Sequence, residues 1–324
     1  MPPGRTQQLD QAQGRPGPPE ARVSLHVSTA FHWDLPELAH EVGQAGLPSV
    51  GMWRLRLEQF GEERCRELLS DRGLQVSSLS WAGGFTGQHG VSVRETLHDS
   101  SLALESAANL GAPYLLVVTG TRAGHSRNHV RRLLTEQLSI VADNAQCRGV
   151  TVLVHVLCGA RAARWSCLDS TAQALELVQD CQHSRLGLAV DLHGLARDPE
   201  ALVRLEELVP LMGLAIIRDL PRTDTELGGT GLTRPPAGDS SRATPSVGDV
   251  VGLLEAAGYR GQYELHLPHQ NLGAQPNLGH GAMQSTLRHY RSRLMSLLSQ
   301  SAVAAAQRAA RRETPQVLPN FCNQ

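Results

Sequence analysis

Eight short apolar runs, each followed by a stretch of helical period, with glycines closing several of those stretches, predict an α/β chain folded as a (β/α)8 (TIM) barrel. The 324 residues exceed one ordinary domain but suit a barrel of about 250 residues with tails. Hydrophobic residues at 41% against 19% charged can fill a large core, and aromatics at only 4% leave that core to Leu, Val and Ala.

The strands are expected at 23–28 (VSLHVS), 49–53 (SVGMW), 76–81 (VSSLSW), 114–120 (YLLVVTG), 151–157 (TVLVHVL), 186–191 (LGLAVD), 214–219 (LAIIRD) and 262–267 (QYELHL). Most are near-continuous apolar runs, the pattern of parallel strands covered on their outer face. Helical stretches lie between them at 91–110, 127–148, 168–182 and 247–257, with Gly73, Gly111, Gly149 and Gly258 as C-terminal closers. Eight alternations favour a closed barrel over a doubly wound open sheet. No G-x-G-x-x-G or G-x-x-x-x-G-K-[ST] follows any strand, which weakens nucleotide-binding readings.

Three regions stand outside the repeat. Residues 1–22 are polar and rich in Pro and Gly and read as a disordered arm, not a signal peptide, ahead of a barrel over 23–300. A Gly/Pro/Ser-rich loop at 221–246 follows the seventh strand, on the rim where barrels carry functional loops. The tail at 301–324 extends the last helix, and its Arg cluster reads as a solvated helix end.

A formal net charge of −1 argues against a chain-wide nucleic-acid surface. No apolar stretch reaches the roughly 18 residues a membrane span needs. Cys65, Cys147, Cys158, Cys167, Cys181 and Cys322 include no C-x-x-C pair, so a reducing cytoplasm is the expected setting. The expected partner is a small sugar-like molecule, with no nucleic acid and no membrane; a homo-oligomer stays open.

Barrel chemistry sits where strands end, so strand ends supply the candidate site. The fifth strand carries His155 and the sixth ends at Asp191, with His193 close behind. Ile216 and Arg218 share a face of the seventh strand, as Glu264 and His266 do on the eighth. Trp53 and Trp81 close the second and third strands, and the loop GTRAGHSRNH adds Arg122, His125 and His129. Two imidazoles and a carboxylate, His155, His266 and Asp191, converge from three strands as a set for a divalent metal. Each also has a structural reading: His155 as a bonded core histidine, Asp191 as a helix cap, Arg218 as half of an ion pair, Glu264 as the partner of a buried cation, His125 and His129 as exposed side chains.

At these positions the sequence resembles the xylose isomerase-like sugar-phosphate isomerase/epimerase superfamily over residues 23–295. The resemblance is carried by AGLPSVGMWRLRLEQFG, GLQVSSLSWAGGFTG, the GTRAGHSRNH loop and LEAAGYRGQYELHL. It implies a divalent metal held by Glu, Asp, His and Glu from strands five to eight, the two Glu also moving a proton between adjacent carbons. Those positions fall here on His155, Asp191, Ile216 and His266, so only Asp191 matches. The D-x-x-H pattern after strand six is disturbed as well, with His193 one place early and Gly194 in its stead.

A His155/Asp191/His266 set would shift preference from Mg toward Zn, Co or Fe(II), with Mn also admissible. Binding without any metal is equally open, since the Arg218 guanidinium can stand in for the ion by pairing with Asp191. Loss of both acidic shuttles leaves His193, Glu264 and His125 as candidate catalytic groups, with Arg218, Arg122, Trp53 and Trp81 as substrate-binding residues. Three functions follow: isomerisation or epimerisation of a sugar, polyol or keto acid; ligand or partner binding by a non-catalytic relative; and metal-dependent hydrolysis or oxidation, including the apurinic-site endonuclease branch.

Overall fold

The computed structural model describes residues 19–30, 33–87, 90–157, 162–218, 244–267 and 280–313, with side chains of the last stretch described over 283–300. The strands β1 (Val23–His26), β2 (Ser49–Trp53), β3 (Gln75–Gly83), β4 (Tyr114–Val118), β5 (Thr151–Val156), β6 (Leu186–Asp191), β7 (Met212–Ile217) and β8 (Gln262–Leu265) close into one barrel in sequence order. Each pairs in parallel with its neighbours, and β8 returns to β1. The eight expected strands all form.

The strand ends differ from expectation for local reasons. β1 stops at His26 because the chain turns into a 3-10 segment over Val27–Ala30. β4 stops at Val118 because the loop after β5 takes over: Gly120 N–H donates to the Trp165 carbonyl at 2.9 Å. Arg218 and His266 lie just beyond β7 and β8, with His266 N–H still donating to the Ile217 carbonyl at 2.8 Å.

Helices between strands follow the expected alternation: α1 (Leu35–Gln44), α2 (Arg54–Phe60), α3 (Glu62–Asp71), α4 (Val93–Asn109), α5 (Arg127–Gln146), α6 (Thr171–Cys181), the short α7 (Leu192–Leu195), α8 (Pro199–Val203) and α9 (Leu205–Leu208), then α10 (Val247–Ala256) and α11 (His280–Glu313). Two of their starts are set by reciprocal capping boxes, Ser92 with Glu95 at α4 and Ser246 with Asp249 at α10. Gly111 and Gly149 close α4 and α5 at φ 67° and 69°, a conformation that costs a side chain dearly and glycine nothing. α11 runs to Glu313, as the extension of the last helix requires. Residues 219–243, most of the expected rim loop, lie outside the described residues, as do 1–18; Pro19–Arg22 form a 3-10 turn. Among the described residues no helix is long and apolar enough to cross a membrane, and Cys65, Cys147, Cys167 and Cys181 are free thiols.

The barrel interior has two unlike halves. On one side Leu116, Leu153, Ala189, Leu214 and Ile216, from β4 to β7, make a small apolar plug touched by Trp81 and Tyr114. On the other, β8, β1, β2 and β3 bury Glu264, Ser24, His26, Ser49, Ser77, Ser78 and Ser80. Two register shifts along β3 place its polar residues. One, between Val50 and Gly51 of β2, makes Ser77 an extra residue, and the other, against β4, does the same for Trp81. A bulge breaks strict alternation, so Ser77 and Ser78 both reach Glu264, and Ser80 and Trp81 both reach imidazoles.

At the opposite end from the rim, Arg22 enters just before β1. Its guanidinium donates to Glu255 Oε1 and Oε2 at 2.8 and 3.2 Å, to the Gly261 carbonyl at 3.0 Å and to the Tyr259 carbonyl at 3.2 Å. Tyr263 of β8 donates its hydroxyl to Glu255 Oε1 at 2.8 Å. This cluster ties the first and last strands together.

Candidate functional site

Glu264, on β8, is wholly buried, and no Lys or Arg among the described residues pairs with it. Ser77 and Ser78 donate hydroxyls to its Oε2 at 2.7 and 2.8 Å, and His266 Nε2 sits 2.6 Å from Oε1. Burial alone would raise this carboxyl; the hydrogen bond and charge of His266, then His26 and Ser77, outweigh it and hold the group at about 2. Room for the charge comes from Gly51, where a Cβ would lie 2.4 Å from Oε2. Gly51→Ala is therefore expected to cost about 1–3 kcal/mol through forced displacement of a buried carboxylate. Chemical denaturation measures it, and an unchanged midpoint would contradict the packing.

His26, at the end of β1, is also wholly buried. Its Nδ1 accepts from the Ser28 amide at 3.3 Å and lies 2.6 Å from the Ser28 hydroxyl, so the ring proton is on Nε2, which donates to Ser80 Oγ at 2.8 Å. The ring stacks on His266 with centroids 4.3 Å apart and planes 20° from parallel. Burial first, and then the neighbouring His266, lower His26 to about 3 against the opposing pull of Glu264. Both shifts make acid destabilising. His26 stays neutral between pH 6.5 and about 3, where the unfolded ring takes up a proton. Glu264 stays ionised between pH 4.5 and about 2, where the unfolded carboxyl is protonated. Stability is thus expected to fall as pH drops below 6.5 and to fall more steeply below 4.5. His26→Asn should flatten the upper part of that slope in denaturation midpoints taken across the range; a variant retaining the wild-type slope would refute the assignment.

The facing wall comes from β5, β6 and β7. Trp81 Nε1 donates to His155 Nδ1 at 3.0 Å, which leaves the proton of the neutral His155 ring on Nε2. That Nε2 is buried and has no hydrogen-bond partner among the described residues. Burial, then the neighbouring His266, Arg218 and His26, hold His155 well below the ordinary histidine value. Asp191, 1% exposed, caps α7: its Oδ1 accepts from the amides of His193 at 2.9 Å and Gly194 at 3.4 Å. Its Oδ2 faces Arg218 Nε in a close ion pair. His193 Nδ1 stands 3.8 Å from Asp191 Oδ1.

The structure therefore brings His155, Asp191, His193, Arg218, Glu264, His266 and Trp81 to one end of the barrel, with His155 and His266 edge to face at 6.2 Å. Ile216 lies in the apolar plug. His125 is exposed just before α5, its ring tilted 49° to that of His129 with centroids 4.8 Å apart, and Arg122 lies in the same loop. Trp53 occupies the N-cap position of α2 without a side-chain capping bond, partly buried against the core. Sequence reasoning missed His26, Ser77, Ser78, Ser80 and Gly51. The available signal was polarity: His26 ends its strand just as His155 nearly ends β5, and three serines in one buried strand are unusual. It named Trp53 and Trp81 but overlooked the other two tryptophans of this aromatic-poor chain, Trp33 and Trp165, which follow β1 and β5 on the rim side. Trp165 is 60% exposed.

Fold and site together define a (β/α)8 barrel whose histidines and carboxylates gather at the strand ends. A model of the xylose isomerase-like TIM barrel family matches residues 37–284, and the chain belongs to that family. No curated protein sequence matches it. Among solved structures, a protein from Sinorhizobium meliloti 1021 superposes with TM-score 0.69 at 20% identity, over 84% of this chain and 98% of that one. D-psicose 3-epimerase, solved in the presence of D-fructose, gives 0.64 at 12% identity over 86% and 99%. The IolI protein, solved with a binding zinc atom, gives 0.61 at 13% over 89% and 98%.

The residues here do not fit such a metal at the inherited positions. Asp191 faces a guanidinium, Ile216 offers no donor, and His155 has its lone pair on Trp81 and a proton on Nε2. Another set, His26, Glu264 and His266, brings one ligand atom each to within 4.8 Å of one another. There, too, the fit fails. Both His26 nitrogens and both Glu264 oxygens are already bonded, and lone pairs of two nearly parallel stacked rings do not converge on one point.

Proposed function

We propose that this barrel takes up a small polyhydroxylated ligand at its C-terminal rim without a metal, the Arg218 guanidinium supplying the positive charge. The observation that carries the reading is the Arg218–Asp191 ion pair: a fixed cation beside the inherited carboxylate repels a divalent ion and replaces it. Support also comes from the tryptophans ranged around the rim, since flat apolar faces suit the C–H faces of sugar rings, and from relatives named for sugar epimerisation. A metal-assisted isomerase would instead need His155, Asp191 and His266 free to coordinate.

The test is tryptophan fluorescence of the purified protein, titrated with a panel of ketoses, aldoses and their acids in EDTA and again with Zn, Mn, Co or Fe(II), alongside metal analysis. The expected result is quenching in EDTA that added metal does not strengthen, in protein free of stoichiometric metal. One metal per chain, with quenching abolished by EDTA, would overturn the proposal.

A further inference from the structure

Resting on that reading, the rim can be sorted into what it offers an incoming molecule. Its carboxylates are spent. Asp191 holds two amides on one oxygen and faces Arg218 with the other, and Glu264 is occupied by Ser77, Ser78 and His266. The acceptor side of His155 is taken by Trp81.

Donors, by contrast, stand unmatched. His155 is 1% exposed, and its Nε2–H has no hydrogen-bond partner among the described residues. A buried donor left without an acceptor costs free energy, and it persists where a ligand atom completes it. Arg218 turns Nε toward Asp191, and its terminal amino groups have no hydrogen-bond partner among the described residues. The two groups are neighbours: His155 is on β5, Asp191 at the end of the adjacent β6, and Arg218 just past β7 against Asp191.

A neutral sugar hydroxyl both donates and accepts, so a donor-only wall serves half of its needs. A carboxylate accepts only, and its two oxygens match the fork of a guanidinium. We propose that His155 Nε2–H and the outward end of Arg218 form a carboxylate subsite, so that the ligand is a sugar acid, a uronate or aldonate, rather than a neutral sugar. A phosphate ester is the less suitable anion, because a dianion with three terminal oxygens asks for more donors than this pair holds.

The experiment compares D-glucuronate, D-glucose and D-glucose 6-phosphate, and the galactose series with D-galactonate, by tryptophan quenching in EDTA; Trp81, bonded to His155, is the natural reporter. The acid is expected to bind at least about tenfold tighter than its neutral parent and than the phosphate. Arg218→Met should abolish that preference, and Arg218→Lys, which keeps charge but not the fork, should restore part of it. The wild-type ratio needs no variant, and it decides the matter if Arg218→Met fails to fold. Equal binding of acid and neutral sugar, tighter binding of the phosphate, or a preference that survives Arg218→Met would overturn the subsite and leave metal-free sugar binding standing. Absence of quenching by every compound would overturn both.

Discussion

Arg22→Ala is expected to lower the unfolding midpoint by roughly 10 °C, the largest effect of any single change proposed. Arg22 and Glu255 are each 8% exposed, and the guanidinium also serves two backbone carbonyls. Removing it strands the Glu255 carboxylate in the interior with only the Tyr263 hydroxyl and the end of Arg260, 3.6 Å away, for company. Breaking a buried pair in this way costs about 3–5 kcal/mol, and in a chain of this size each kcal/mol moves the midpoint by about 2–4 °C. The same principle predicts that Arg22→Met combined with Glu255→Leu recovers much of the loss, because desolvation of both ions is then avoided. Arg66, in an exposed pair with Glu63, is the control and should melt as wild type does. A shift under about 3 °C for Arg22→Ala would place the pair among those that contribute little.

Arg218→Met is expected to destabilise by about 2 kcal/mol, less than a wholly buried pair because Arg218 is 40% exposed and water screens it. Asp191→Asn in that background should return much of the loss. Asparagine keeps an oxygen for the His193 and Gly194 amides and discards the charge that Arg218 had balanced. A double-mutant cycle by urea denaturation gives the coupling directly. Additivity within about 0.5 kcal/mol would remove the ion pair as the reason Asp191 tolerates burial.

The barrel was legible because parallel strands sandwiched between core and helices become unbroken apolar runs, and runs such as YLLVV and TVLVHV admit few other readings. His155, Asp191, Arg218, Glu264 and His266 followed from the rule that strand ends carry chemistry. The polar half of the interior did not follow, and β3 is the physical reason. Its two bulges turn consecutive residues toward the axis, so a period of two, the only tool available to sequence reasoning, assigns half of them to the wrong face. The partners of Asp191 were equally ambiguous on paper. Cap, metal ligand and ion pair were all open, and the structure makes it a cap and an ion pair at once.

The clasp between the first and last strands also bears on the order of events during synthesis. β1 pairs with β8, and Arg22 reaches Glu255 across 233 positions. A ribosome adding about 5–20 residues per second therefore leaves β1 with one bare edge for on the order of tens of seconds. An unpaired edge invites association with other chains, and shortness is one of the usual protections. β1 is four residues long and is followed at once by a turn, so the nascent barrel waits for closure with little edge on offer.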